Sequence, residues 1–207
     1  MTLSHIHRFE PGPNSRSLLL LHGTGGDEHD LIDLGRTIAP GAPLLSPRGQ
    51  VREGPANRFF RRMAEGVFDI PDLKARTQAL GDFVAEAGKT YGIEPPVALG
   101  FSNGANIAAS LLLLRSEVLS GAILMRATLP FEPVSLPDLA GKPVLILSGQ
   151  SDPMAPASKE LAAVLRQAGG NVRHEVLPAG HGLIQQDLIL ARDWWTESGS
   201  ADALVRS

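Results

Sequence analysis

Hydrophobic and polar positions alternate between two periods along the chain. Short, nearly continuous apolar runs occur at residues 17–21, 44–46, 97–100, 122–125 and 144–148, with a weaker one at 172–176. Runs of this length without polar interruption predict strands buried on both faces. A further edge strand is expected at 5–9. Between the runs lie stretches of helical period at 27–38, 72–91, 103–115, 158–168 and 183–195. In the second of these, Leu73, Leu80, Phe83, Val84, Ala87 and Tyr91 form one stripe. Strand and helix in regular succession predict an α/β fold: a mostly parallel central sheet with helices on both faces and right-handed crossovers.

Composition narrows the classes. The chain has 207 residues with 43% hydrophobic content, enough for one domain, 1–207, around a sizeable core. No repeat or low-complexity linker divides it, and only 198–207 reads as a disordered tail. The formal net charge is −3, so no basic field points to nucleic acid or an anionic membrane. No apolar run reaches the ~18 residues of a membrane span, and MTLSHIHRFEPG lacks the basic and apolar regions of a leader, so the expected location is the cytoplasm. Cysteine is absent, which removes thiolate chemistry and Cys-ligated metals.

In a parallel α/β sheet, sites gather at the carboxyl ends of the strands. The run VALGFSNGANIAASLLLL places Ser102 between Gly100 and Gly104, where a strand gives way directly to a helix. So sharp a turn holds its central residue in a sparsely populated conformation, and bulky neighbours two positions away would collide. Gly100 and Gly104 remove that collision. The turn lifts the hydroxyl above the sheet beside a helix start, where free N–H groups favour negative charge. A serine needs a base before it attacks. Of six histidines, His181 in LPAGHGLIQQD follows a strand and precedes a helix, on the correct edge. The others read as structural or solvated, with His22 supporting the adjacent glycine loop. Imidazole in turn needs a carboxylate to orient it. Asp152 in ILSGQSDPMAP lies on the loop after its own strand, giving the order nucleophile, acid, base.

The loop after the first core strand reads HGTGGDEHD. Its glycines let main chain approach a substrate, and the N–H groups of Thr24 and Asn103 are the expected oxyanion donors. A phosphate loop is rejected: G-x-G-x-x-G would require glycine at Glu28, the P-loop lysine is absent, and Asp27 and Glu28 would repel phosphate. The acidic run DEHD predicts a capped helix start rather than a metal site, because adjacent helical residues do not share a face.

The motifs HGTGGDE, SPRG, RFFRR, GFSNGA, SGQSDPMAP and GHG together resemble the small carboxylesterase and phospholipase branch of the α/β-hydrolases, related to acyl-protein thioesterases and hydroquinone-induced esterases. The resemblance spans roughly residues 18–194. It implies the α/β-hydrolase fold and cofactor-free cleavage of small-molecule carboxyl esters, with Ser102 as nucleophile, His181 as base and Asp152 as acid. It also implies the oxyanion hole at Thr24 and Asn103, and a homodimer. Acyl-protein thioesterases usually carry glutamine after the serine and a bulky apolar residue after the His-Gly, where this chain has Asn103 and Thr24. Protein depalmitoylation is therefore not the expected activity.

Substrate preference is read from two segments. Arg48, Arg52, Arg58, Arg61 and Arg62 interleave with Phe59 and Phe60, so Arg48, Arg58, Phe59 and Phe60 are candidates for a rim that binds an anionic group; a solvated loop is the competing reading. Only the short, proline-rich TLPFEPVSLPDL follows the 122–125 strand, so no large lid domain is expected and small to medium acyl chains fit best. A thioesterase or lysophospholipase would use the same three residues. A non-catalytic binding module on the same fold is the alternative from another class.

Overall fold

The computed structural model describes residues 3–205, with side chains described up to residue 199. In chain order the elements are β1 (His7–Glu10), β2 (Leu18–Leu21), α1 (Ile32–Ile38), β3 (Leu44–Pro47), β4 (Val51–Glu53), β5 (Ala56–Arg58), β6 (Arg62–Ala64), β7 (Val67–Phe68), α2 (Ile70–Tyr91), β8 (Val97–Phe101), α3 (Asn103–Leu114), β9 (Gly121–Met125), β10 (Pro143–Gly149), α4 (Ala155–Gln167), β11 (Asn171–Leu177) and α5 (Gln185–Val205). Seven strands form one sheet in the order β1-β3-β2-β8-β9-β10-β11. Only β1 runs antiparallel to its neighbour; the other pairings are parallel.

Strand alternation builds two cores. Leu19, Leu21, Ala98, Ala122, Leu124, Val144 and Ile146 face α2, α3 and α4. Leu18, Leu20, Val97, Leu99, Ile123, Met125, Leu145 and Leu147 face α1 and α5. Both faces are covered, which is why the strands read as unbroken apolar runs. Each fully buried leucine contributes about 1.5–3 kcal/mol of transfer free energy.

The long helix α2 has clear signals at both ends. The Asp69 carboxylate accepts from the Asp72 N–H at 3.1 Å, Pro71 occupies the first turn, and Gly92 ends the helix with φ 66°.

The elements depart from the sequence pattern at three places. The helix predicted from residue 27 begins at Ile32, preceded by Leu31 with no side-chain cap. Asp27 Oδ1 instead accepts from the His29 N–H at 2.8 Å, and the Glu28 carboxylate takes both Nε and a terminal nitrogen of Arg48 at 2.5 and 2.7 Å. Local acceptor chemistry and one long-range ion pair thus hold the acidic run in turns. The tail predicted from residue 198 is the end of α5 as far as Val205; Arg206 and Ser207 lie outside the described residues. Residues 51–68 fold into two small hairpins, β4–β5 and β6–β7, turning at Gly54 (φ 58°) and Gly66 (φ 73°).

Candidate active site

Ser102 stands between β8 and α3 with φ 53° and ψ −114°, a conformation that costs roughly 1–3 kcal/mol for a residue with a side chain. Two close approaches hold the turn. A Cβ on Gly100 would meet the Gly104 carbonyl oxygen at 2.6 Å, and one on Gly104 would meet the Leu21 carbonyl oxygen at 2.0 Å. The elbow therefore packs backbone to backbone against the end of β2. Its Ser102 N–H donates to the Met125 carbonyl at 2.9 Å, tying it also to β9.

His181 Nε2 lies 2.9 Å from Ser102 Oγ, and His181 Nδ1 lies 2.8 Å from Asp152 Oδ2. A carboxylate only accepts, so the Nδ1 proton faces Asp152 and Nε2 is left to accept from the serine hydroxyl. Asp152 is buried, and its second oxygen accepts from the Met154 N–H at 3.0 Å. The imidazole is about half exposed, with 47% of its side-chain surface open, so water reaches it.

The acid and histidine loops are fastened to each other. Gln150 N–H donates to Leu177 O at 2.7 Å and Ser151 N–H to Ala179 O at 2.9 Å. A Cβ on Gly149 would fall 2.1 Å from the Gly180 carbonyl oxygen. Glycine at 149 thus lets the two loops close to bonding distance.

Thr24 and Asn103 both line the cleft beside Ser102. Asn103 is the first residue of α3, where the N–H has no intrahelical acceptor. The Thr24 N–H makes no backbone hydrogen bond among the described residues. The Asn103 side chain faces elsewhere, its Oδ1 accepting from the Phe59 N–H at 2.8 Å. His22 braces the glycine loop: its Nδ1 bonds the Gly23 carbonyl at 2.7 Å, and its Nε2 accepts from the Gly49 N–H at 2.9 Å. Burial pushes the His22 imidazole below its ordinary pKa, which suits a ring acting as acceptor.

The predicted rim divides. Arg58 lines the cleft, with only 4% of its side chain exposed, and donates to Thr24 Oγ1 at 2.6 Å and to the Phe60 carbonyl at 3.1 Å. Arg48 is tied to Glu28 and does not line the cleft, and Phe59 and Phe60 are core residues. The core beside α2 and α3 takes up the two phenylalanines and Glu28 takes up Arg48, so these three do not form the rim. Arg62, Gly66 and Phe68 come to the cleft from the second hairpin instead.

Sequence reasoning missed Arg126, Asn106 and Asp187. Asn106 Oδ1 accepts from the Thr128 N–H at 2.8 Å and fixes the loop after β9. Arg126 follows β9 directly, with φ 59°, and forms a buried pair with Asp187. A charged residue immediately after an apolar strand, on the functional edge, is the signal that was there to read.

The cleft encloses about 530 Å³ and is open to solvent, with no lid domain over it among the described residues. Among the described residues, no cluster of His, Cys, Asp and Glu is placed to hold a metal ion, and no helix is long and apolar enough to cross a membrane.

A sheet of this order, with a serine on the elbow after its central strand, defines the α/β-hydrolase class. No family model matches the chain. It is 47% identical over 196 residues to MhqD of Bacillus subtilis (strain 168), named as a hydrolase, covering 93% of this chain and 98% of that one. The crystal structure of the Bacillus cereus carboxylesterase superposes with a TM-score of 0.91 at 42% identity, over 94% of this chain and 95% of that chain. The structure of YahD with malic acid superposes at 0.89 and 29% identity, over 94% and 99%. The chain belongs to the carboxylesterase family of the α/β-hydrolases and is an enzyme of that hydrolase type.

Proposed function

We propose that the protein cleaves carboxyl esters of small to medium acyl chains through a Ser102-His181-Asp152 triad and an acyl-enzyme. The observation that carries this reading is the relay of two hydrogen bonds, 2.9 and 2.8 Å, from the strained serine to the buried aspartate. Ser102 Oγ attacks the ester carbonyl carbon as His181 Nε2 takes its proton. The N–H groups of Thr24 and Asn103 hold the tetrahedral oxyanion. Asp152 keeps the imidazole oriented and stabilises its cationic form. Collapse breaks the bond to the alcohol oxygen, which leaves with the proton from His181. Water entering by the open side of His181 repeats the sequence on the acyl-enzyme and releases the acid. The modest cleft volume supports short acyl groups.

A fluorophosphonate, which phosphonylates an activated serine, tests the assignment. One adduct per chain on Ser102, absent in Ser102→Ala and strongly slowed in His181→Ala, is expected. An adduct on another residue contradicts it.

Arg58 supports a preference for esters that also carry a carboxylate. Glu53 is its nearest counter-charge at 3.4 Å, and that carboxylate is shared with Arg62, which bonds it at 2.6 Å. Burial, then repulsion from Arg62, pushes the Arg58 guanidinium below its ordinary pKa, so an added anion in the cleft relieves an under-compensated charge. The relative YahD, seen with a dicarboxylic acid, is in keeping with this. A matched pair of esters with and without a terminal carboxylate should differ about tenfold or more in kcat/KM, and Arg58→Met should erase the difference. Equal values in the wild type would contradict the preference.

A further inference from the structure

Among the described residues, Ser102 and Arg126 are the non-glycine residues with positive φ, and both line the cleft. The strain at Ser102 has its account in the elbow. Arg126 has none in the chemistry of ester cleavage: its side chain is fully buried, and its N–H groups are bonded within the protein. Its hydrogen bonds, however, converge on one segment. Nε donates to the Gly180 carbonyl at 3.0 Å, and one terminal nitrogen donates to the Gly182 carbonyl at 3.0 Å and to Asp187 Oδ2 at 2.8 Å. The other terminal nitrogen donates to the Leu147 carbonyl at 3.1 Å and to Asp187 Oδ1 at 2.8 Å. All five N–H donors of the guanidinium are thereby used.

The two loop carbonyls held in this way belong to the residues on either side of His181. Glycines at both positions leave the backbone soft, so the loop's shape has to be set from outside. Asp187 completes the frame from the first turn of α5. Besides the bidentate pair, its Oδ2 accepts from the Ile184 N–H at 2.8 Å and its N–H donates to the Ile184 carbonyl at 3.0 Å. One planar cation thus ties together the ends of β9 and β10, the histidine loop and the start of α5. A lysine, with a single nitrogen, cannot span these acceptors.

We infer that Arg126, locked by Asp187, is a positioning residue for catalysis: it fixes the His181 loop so that the imidazole meets both Ser102 and Asp152. This rests on the triad reading above. The left-handed backbone at Arg126 fits the role, since it is the conformation in which β9 ends and its side chain turns beneath the loop. Strain of this kind persists where surrounding contacts over-determine it.

Removing one partner of a buried pair strands a charge, whereas replacing both with apolar residues of similar size is often tolerated. The discriminating variant is therefore the double substitution Arg126→Met with Asp187→Leu, measured beside the wild type, Arg126→Lys and Ser102→Ala on one activated ester. The expected result is a folded double variant with kcat lowered about 10²-fold and KM changed less than about threefold, because misplacing a base by an ångström is costly while ester binding is untouched. Arg126→Lys, assayed well below its melting temperature, should show the same split, so the test stands if the double variant fails to fold. A kcat within about threefold of wild type in either folded variant overturns the positioning role. Turnover that survives in Ser102→Ala overturns the triad itself, which keeps the two failures apart.

Discussion

His5 and His22 show how strongly position decides what a histidine does in this chain. Both are buried, whereas the imidazole of His181 is half open. His5 packs 4.7 Å from the Phe83 ring, and its Nδ1 meets Ser4 Oγ at 3.0 Å. Burial first, then repulsion from His7 and Arg76, lowers its pKa from 6.5 to about 4. The sign follows directly. The unfolded chain binds this proton more readily, so the neutral ring's contribution is complete above pH 6.5 and is lost as pH falls toward 4. The loss is on the order of 2–3 kcal/mol. In denaturant titrations at pH 7 and pH 4.5, His5→Gln should lose less stability between the two pH values than the wild type. Identical losses would contradict the assignment. At the same scale, the three residues of the proposed triad could be singled out because each has a local cause visible in the sequence: glycines two positions either side of Ser102, a proline after Asp152, glycines flanking His181. Arg126 and Asp187 lack such a frame, since their meaning comes from a contact across 61 positions.

At the scale of elements, the central strands were the most legible because burial on both faces leaves no polar residue in them. Strand β2 is four leucines, each fully buried. Helix boundaries were less so. The start of α1 depends on Arg48, which draws Glu28 out of the helical path from 20 residues away. The hairpins at 51–68 are too short to show a period, and their arginines obscured the turn signals at Gly54 and Gly66. These hairpins matter for the cleft, since they carry Arg58, Arg62 and Phe68 to its wall. Their phenylalanines illustrate the limit of reading a motif by composition: Phe59 and Phe60 are interleaved with arginines, yet they belong to the core against α2 and α3. The loops after β10 and β11 show the reverse. A small residue at Gly149 is uninformative alone and becomes explicable only once the Gly180 carbonyl is seen beside it.

At the scale of the whole molecule, one sheet positions everything the proposed chemistry uses. The nucleophile follows β8, the acid β10 and the base β11, and the glycine loop follows β2, so four loops meet at one edge. Helices cover both faces, leaving that edge as the place where polar groups gather without disturbing either core. Ester cleavage at this edge is proposed to run through Ser102. Its most direct test is the initial rate on p-nitrophenyl esters of increasing acyl length, for the wild type beside a folded Ser102→Ala variant. Turnover favouring short and medium chains is expected, with a fall of about 10⁶ in kcat when the hydroxyl is removed. Wild-type rates in the folded variant would contradict it.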